Sequence, residues 1–277
     1  DREIWTERML AALVTASSKG NQDKWFSLID KVWRDSTLNA AWQQVKSRRC
    51  ASGIDGISIE RFGAQAPKYL SELAEQLRTG EYRAQAVRRV EIPKTGGGSR
   101  PLGIPTVKDR VVQAAVKRVI EPIFEATLIT DTFANRRGKG THRAIRRCRD
   151  FLQCNRFALK ADIQKYFPSV DLAILKTLIA RKIHCPQTLD LIFTIIDNSN
   201  PQEFVPDYFP GDNLFTLLER RRGLPMGNLT SQFFANIYLS PLDHFVKESL
   251  RLDYVRYVDD FVLFADDKKT LLRARQL

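Results

Sequence analysis

An α+β fold is the architecture this sequence predicts, on three observations. Apolar residues recur at helical spacing through the first half of the chain, as in Leu38, Ala41, Trp42 and Val45, then Val111, Val112, Ala115, Val116 and Val119. Two short runs rich in Val, Phe and Tyr, residues 254–258 and 261–265, flank Asp259 and Asp260 and read as strands joined by a tight hairpin. Two more strand-like runs, 87–93 and 100–104, flank Gly96, Gly97 and Gly98.

Each element follows from its own signals. Residues 2–16 are expected to be helical. Trp25, Phe26, Ile29, Val32 and Trp33 repeat at helical spacing, and Asp35-Ser36-Thr37 predicts a cap for the next helix. These tryptophans are expected in the core. Residues 50–56 form a turn, and a helix over 66–78 ends near Gly80. After the glycine-tipped hairpin, a helix over 107–120 stops before Pro122, and another covers 141–153. Residues 157–162 read as a strand ending at Asp162, followed by a turn and a helix over 171–183. The proline-containing stretch 197–222 reads as a long loop or loose hairpin, and a helix over 229–250 precedes the acidic hairpin.

The 277 residues allow one large domain or two smaller ones. Lys and Arg number 44 against 32 Asp and Glu, a net charge of +12. Such a chain suits nucleic acid, or less often an anionic membrane surface. The excess concentrates in residues 81–118, which phosphate backbones attract without any reading of sequence. No apolar run approaches the roughly 18 residues of a spanning helix. Cys50, Cys148, Cys154 and Cys185 form no C-x-x-C pair, so reduced thiols of a cytosolic protein are the plain reading. His142, His184 and His244 are too scattered for a metal site by spacing. The chain opens on Asp1-Arg2-Glu3, so the numbering is expected to begin inside a longer product.

The chemistry concentrates in three carboxylates. Asp259 and Asp260 sit side by side with no Lys or Arg between Tyr257 and Ala265, and they repel each other unless a cation lies between them. An exposed acidic turn is the plain alternative. Asp162, at the end of another strand, supplies a third carboxylate. Carboxylates from separate strands are what a two-magnesium nucleotidyl transfer needs, and hard oxygen ligands suit magnesium.

In chain order, Asp162 followed by Phe167, the segment Gly223-Leu224-Pro225-Met226-Gly227-Asn228-Leu229-Thr230-Ser231-Gln232, and Tyr257-Val258-Asp259-Asp260 resemble the palm motifs of reverse transcriptases. Upstream, Ile92-Pro93-Lys94-Thr95-Gly96-Gly97-Gly98-Ser99-Arg100-Pro101-Leu102-Gly103-Ile104-Pro105 resembles the fingers hairpin of bacterial group II intron reverse transcriptases. Gly53-Ile54-Asp55-Gly56 resembles the same branch. The resemblance spans roughly residues 50–270. It implies the fingers and palm of a right-hand polymerase. A helical extension would occupy 1–50, fingers 51–156 with the hairpin 87–104, and a palm with an antiparallel sheet 157–277. That palm is expected to be incomplete at its C-terminal end, with the thumb absent from this chain.

The resemblance also implies an RNA-directed DNA polymerase that joins dNTPs to the 3′-hydroxyl of a DNA or RNA primer on an RNA template. Asp162, Asp259 and Asp260 would be catalytic. With the Ile163 carbonyl they would hold two magnesium ions, manganese being the alternative. Lys94 and Arg100 would contact the triphosphate, and Phe167 would exclude a 2′-hydroxyl by bulk. Met226, Gly227 and Gln232 would complete the dNTP site. Arg88, Arg89, Arg110, Arg136, Arg137, Lys139 and Arg143 would meet nucleic acid. An accessory protein or fused domain, a bacterial cytoplasmic setting and no membrane are part of the same expectation. Met226 and Gln232 depart from the commoner Gln and Pro of the family. They resemble diversity-generating retroelements, whose copying is error-prone. The competing expectations are a non-catalytic nucleic-acid-binding scaffold and a template-independent or protein-primed polymerase of a defence system.

Overall fold

The computed structural model describes residues 24–93, 99–198, 222–225 and 227–277, without the side chains of Arg100 and Pro101. The expected helix over 2–16, the glycine tip, Lys94, Met226 and most of 197–222 lie outside the described residues. In chain order come α1 (Ile29–Val32), α2 (Asp35–Ser47), α3 (Ile59–Ala64), α4 (Ala66–Thr79), β1 (Arg88–Pro93), β2 (Ser99–Ile104) and α5 (Val107–Glu125). Then follow α6 (Thr141–Cys154), β3 (Phe157–Asp162), the single turn α7 (Tyr166–Ser169), α8 (Leu172–Ala180) and α9 (Pro186–Asp197). Last are α10 (Leu229–His244), prolonged by a π-type turn (Phe245–Ser249), then β4 (Asp253–Tyr257), β5 (Asp260–Ala265) and α11 (Lys268–Gln276). The fold is α+β with antiparallel sheets. It divides into two compact units. One comprises the residues up to Ala126 with Phe167–Ser231, the other Thr127–Tyr166 with Gln232–Leu277.

The first unit is mostly helical. α2 packs along α5, and Leu38, Ala41, Trp42 and Val45 are buried together with Val111, Val112, Ala115, Val116 and Val119. Each of the valines and Leu38 contributes about 1.5–3 kcal/mol when fully buried. The Trp42 ring lies 4.6 Å from Phe62, which lies 4.9 Å from Tyr69. Trp25 and Trp33 are only half-buried, contrary to expectation. Trp25 pairs instead with Ile183: its N–H donates to the Lys182 carbonyl at 2.9 Å, and its carbonyl accepts from His184 at 2.8 Å. That bridge uses the backbone after Ala180, so α8 ends there rather than at 183.

Other expectations shift for similar local reasons. Arg34, not the Asp35-Ser36-Thr37 triplet, precedes α2, and Asp35 sits in the first turn, where the helix dipole favours it. α5 runs through Pro122 to Glu125, because buried Ile123 and Phe124 hold its last turn against the core. Sequence reading missed α9. Its buried Leu191, Ile192, Ile195 and Ile196 follow a proline in the first turn, a recognisable start signal. β1 and β2 pair antiparallel from Arg88↔Ile104 to Pro93↔Ser99, as the hairpin reading requires.

The second unit is built on a three-stranded antiparallel sheet of order β3-β5-β4. One face carries Tyr254 and Leu263 and packs with Val246, Leu252 and Leu271. The other carries Val255 and Phe264 and packs with Phe133, Ala144 and Phe151, so α6 covers it. The edge of β4 is closed by residues 131–133: Arg256 N–H donates to Asp131 and Phe133 N–H donates to Arg256, both at 3.0 Å. α10 ends at His244 and the chain continues as a π-type turn, rather than as the single helix expected over 229–250.

Candidate active site

The acidic hairpin forms, shifted by one residue from the sequence reading. β4 ends at Tyr257 and β5 begins at Asp260, these two being register partners, so the connection is Val258-Asp259. Val258 has φ +62°, a conformation β-branched residues rarely adopt. The turn brings the acidic end of β5 beside the end of β3. Asp162 stands directly opposite Asp260 in the ladder. The Ile163 N–H donates to the Asp259 carbonyl at 3.3 Å. All three aspartates therefore meet at one end of one sheet.

Residues opposite each other across a ladder share a face, with Cβ atoms about 4.5–5.5 Å apart. Asp162 and Asp260 thus present two like charges on one face, which destabilises the pairing. Lys160, two residues before Asp162 on that face, reaches Asp260 Oδ1 at 3.4 Å. Its side chain is 73% exposed and that of Asp260 53%, so solvent weakens the pair. Among the described residues, no three His, Cys, Asp or Glu side chains gather into one metal-binding cluster. The donors nevertheless fit a hard divalent cation: they are carboxylate oxygens, they are set at adjoining strand ends, and their mutual repulsion is what a cation would relieve.

Beneath the hairpin, on the opposite face of β4, lies a buried polar network that sequence reading missed. Arg256 and Asp243 are both fully buried. Arg256 Nε and Nη2 donate to the two Asp243 oxygens at 2.6 and 2.7 Å. Its Nη1 donates to Asn236 Oδ1 at 3.2 Å and to the Val258 carbonyl at 2.8 Å. Asp243 also accepts from the Tyr254 and Thr132 hydroxyls at 2.9 and 3.0 Å. Burial alone would lower the Arg256 pKa. The hydrogen bonds and charge of Asp243 outweigh it, so the guanidinium stays charged and above its ordinary value. The available signal was an arginine inside the otherwise apolar and aromatic run 254–258.

Other expected site residues fall in different places. In the first unit, Gly227 has φ +105°, and a Cβ there would meet the Gly103 carbonyl oxygen at 2.6 Å and Leu102 at 2.7 Å. Only glycine allows this approach of the motif to β2. Phe167 is half-buried, its carbonyl accepting from Leu224 N–H at 2.8 Å. Its neighbour Tyr166 is buried in the second unit and donates to the Ala235 carbonyl at 2.6 Å, so it is a core residue. Gln232 is exposed on α10. The backbone of Arg100 pairs with Ile92.

Among the expected nucleic-acid contacts, Arg110 departs most. It is buried, and it donates to the Ala51 and Thr106 carbonyls, holding the turn before α3. Arg136 likewise staples its own loop through the Ile129 and Thr132 carbonyls. Lys139 donates to the Thr130 carbonyl at 2.8 Å and Arg88 to that of Ser52 at 3.1 Å. Arg88, Arg89, Arg137 and Arg143 are exposed. Arg146 and Arg149, which sequence reading did not single out, are also exposed and continue the Arg143 row along α6 at helical spacing.

Residues 92–277 match the model of the reverse transcriptase (RNA-dependent DNA polymerase) family. Protein YkfC of Escherichia coli is 27% identical over 259 residues, 80% of this chain and 65% of that protein. The group II intron-encoded protein LtrA of Lactococcus lactis is 27% identical over 235 residues, 84% of this chain and 37% of that protein. A putative COX1/OXI3 intron 2 protein of Saccharomyces cerevisiae is 25% identical over 220 residues, 78% of this chain and 24% of that protein. The chain therefore spans less than two thirds of the length of each of these relatives. Among solved structures, apo telomerase from Candida tropicalis aligns with TM-score 0.48 and 15% identity, over 79% of this chain and 51% of that one. The family model covers the strand carrying Asp162 and the hairpin carrying Asp259 and Asp260: the chain belongs to the reverse transcriptase family and covers its fingers and palm region.

Proposed function

We propose that this chain supplies the fingers and palm of an RNA-directed DNA polymerase that extends a primer 3′-hydroxyl with dNTPs on an RNA template. The observation that carries the reading is the ladder pairing of Asp162 with Asp260, next to the Ile163-to-Asp259 hydrogen bond. It brings the backbones of three aspartates to one end of the sheet within a chain of this family. Asp162, Asp259 and Asp260, with the Ile163 carbonyl, would hold two magnesium ions, or manganese in their place. When bound, the ions lower the pKa of the attacking hydroxyl and stabilise charge on the transferred phosphate. The side chains do the rest. Lys94 and Arg100 bind triphosphate oxygens, the second as a fork. Phe167 excludes a 2′-hydroxyl by bulk, and Gly227 lets its segment lie against β2.

The fingers are assigned to 51–156 and the palm to 157–277, after a helical extension over 1–50. The second unit, with its sheet and carboxylates, carries the catalytic part of the palm. RNA template, primer and dNTPs are the partners in this reading, joined by an accessory or fused protein. A bacterial cytoplasmic setting belongs to it as well, and the Escherichia coli and Lactococcus lactis relatives support the bacterial part. Among the described residues, no helix is long and apolar enough to cross a membrane. Primer extension by the full-length protein tests the proposal. Template-directed DNA is expected. Untemplated DNA would mean a template-independent enzyme, and binding without extension a scaffold.

A further inference from the structure

The buried network under the acidic hairpin has a geometry that stability does not explain. A fully buried ion pair gives little net stability, because both charges lose water. Replacing such a pair with well-packed apolar residues of similar volume is often neutral or stabilising. Yet Arg256 and Asp243 are fully buried, and all three guanidinium nitrogens are committed to hydrogen bonds. Asn236, which accepts from Nη1, is itself fixed by its Nδ2 donating to the Ala134 carbonyl at 2.8 Å. Tyr254 and Thr132 fix Asp243 from two sides. The branch that leads out of the network to the hairpin reaches the Val258 carbonyl at 2.8 Å.

Val258 is the residue that needs holding. Its φ of +62° is unfavourable for a β-branched side chain, and such strain persists only where the surrounding structure over-determines it. Its carbonyl belongs to the peptide bond that leads into Asp259. Relaxing the turn would swing the Asp259 carbonyl away from the Ile163 N–H and shift Asp260 from its place opposite Asp162.

We propose that Arg256, clamped by Asp243, is a positioning residue that holds the Val258-Asp259 turn in its strained form and thereby sets the Asp259 and Asp260 carboxylates against Asp162. The inference rests on the catalytic reading of those three aspartates. Arg256 touches no reacting atom; it acts through the turn.

A double-mutant cycle in the full-length protein tests it. Arg256→Lys keeps a positive charge for Asp243, but a single ammonium cannot serve Asp243, Asn236 and Val258 together. Val258→Gly removes the backbone strain, since glycine adopts a positive φ freely. Templated primer extension is measured for the wild type, both single variants and the double variant, alongside thermal melting. Arg256→Lys is expected to lower kcat about tenfold while KM for dNTP stays within about twofold. In the Val258→Gly background the same change should cost less than about threefold, because the turn no longer needs the clamp. An equal kcat loss in both backgrounds overturns the proposal, as does a kcat for Arg256→Lys equal to that of the wild type. Should Arg256→Lys fail to fold, the cycle is run with Asn236→Ala, which takes one acceptor from the same nitrogen, and the same criteria apply. Asp259→Ala is the separate control. If it leaves extension intact, the catalytic reading fails first. If it abolishes extension while the cycle shows no coupling, only the positioning role is lost.

Discussion

Asp162 and Asp260 are held at a cost, since the ladder sets two carboxylates on one face and the Lys160–Asp260 pair beside them is weakened by solvent. Asp162→Asn should therefore raise unfolding stability slightly, by about 0.5 kcal/mol, while removing extension activity. Urea denaturation beside a primer-extension assay checks this, and a loss of stability would mean that Asp162 is a structural residue. Phe167→Ala should increase ribonucleotide incorporation relative to deoxyribonucleotides, scored by competitive extension; an unchanged ratio would move the gate elsewhere. Tyr166 is the less suitable gate, being buried and bonded to the Ala235 carbonyl. At this scale the carboxylates were legible in the sequence, because two adjacent acids between strand-forming runs need a reason. Arg256 was visible as an odd charge in a strand. Asp243 was not, because its partner lies thirteen residues away on another element and no spacing rule connects them. Arg110 misled for the opposite reason: charge is read from sequence, and burial is not.

Elements followed their local signals where tertiary packing agreed. The strand pairs and the α2 and α5 stripes came through, whereas α5 overran Pro122 because buried side chains beyond it outweighed the proline. The acidic hairpin moved by one residue, since turn register depends on backbone angles that Val258 gives no hint of. Two predictions belong here. Gly227→Ala should destabilise the first unit by about 1–3 kcal/mol, because a methyl would meet the Gly103 carbonyl and the backbone would be strained. Denaturation of the variant checks this. His244 closes α10, its Nδ1 2.6 Å from Glu248 and its Nε2 2.9 Å from the Thr127 carbonyl. Burial pulls its pKa down, but Glu248 and the Thr127 carbonyl outweigh it, and the net shift is upward from 6.5. A raised folded pKa stabilises fully below about pH 6.5 and loses that contribution as pH rises through the folded value. The wild-type melting temperature should thus fall more than that of His244→Gln between about pH 6 and about pH 9, by a modest amount given solvent screening. Parallel pH slopes would remove His244 from this role.

The whole molecule is two units, and the second is assembled from separated stretches of chain. This could not be read from sequence: periodicity marks elements, but nothing local says that the chain leaves this unit after Tyr166 and returns at Gln232. The net charge of +12, with its excess over residues 81–118, pointed to a nucleic-acid partner. The exposed row Arg143, Arg146 and Arg149 on α6 is a further location to test. Replacing all three with alanine should weaken RNA binding across sequences and reduce the salt dependence of log K by about 1 for each phosphate no longer neutralised. An unchanged salt slope would exclude this row from the interface. Above all, the three aspartates at the end of the sheet are expected to perform templated DNA synthesis. The most direct test is primer extension on an RNA template by full-length protein carrying Asp259→Ala, with RNA affinity measured in parallel. Extension should fall by at least about a thousandfold, with RNA affinity within about threefold of the wild type. Extension by the variant at a near wild-type rate would contradict the catalytic assignment.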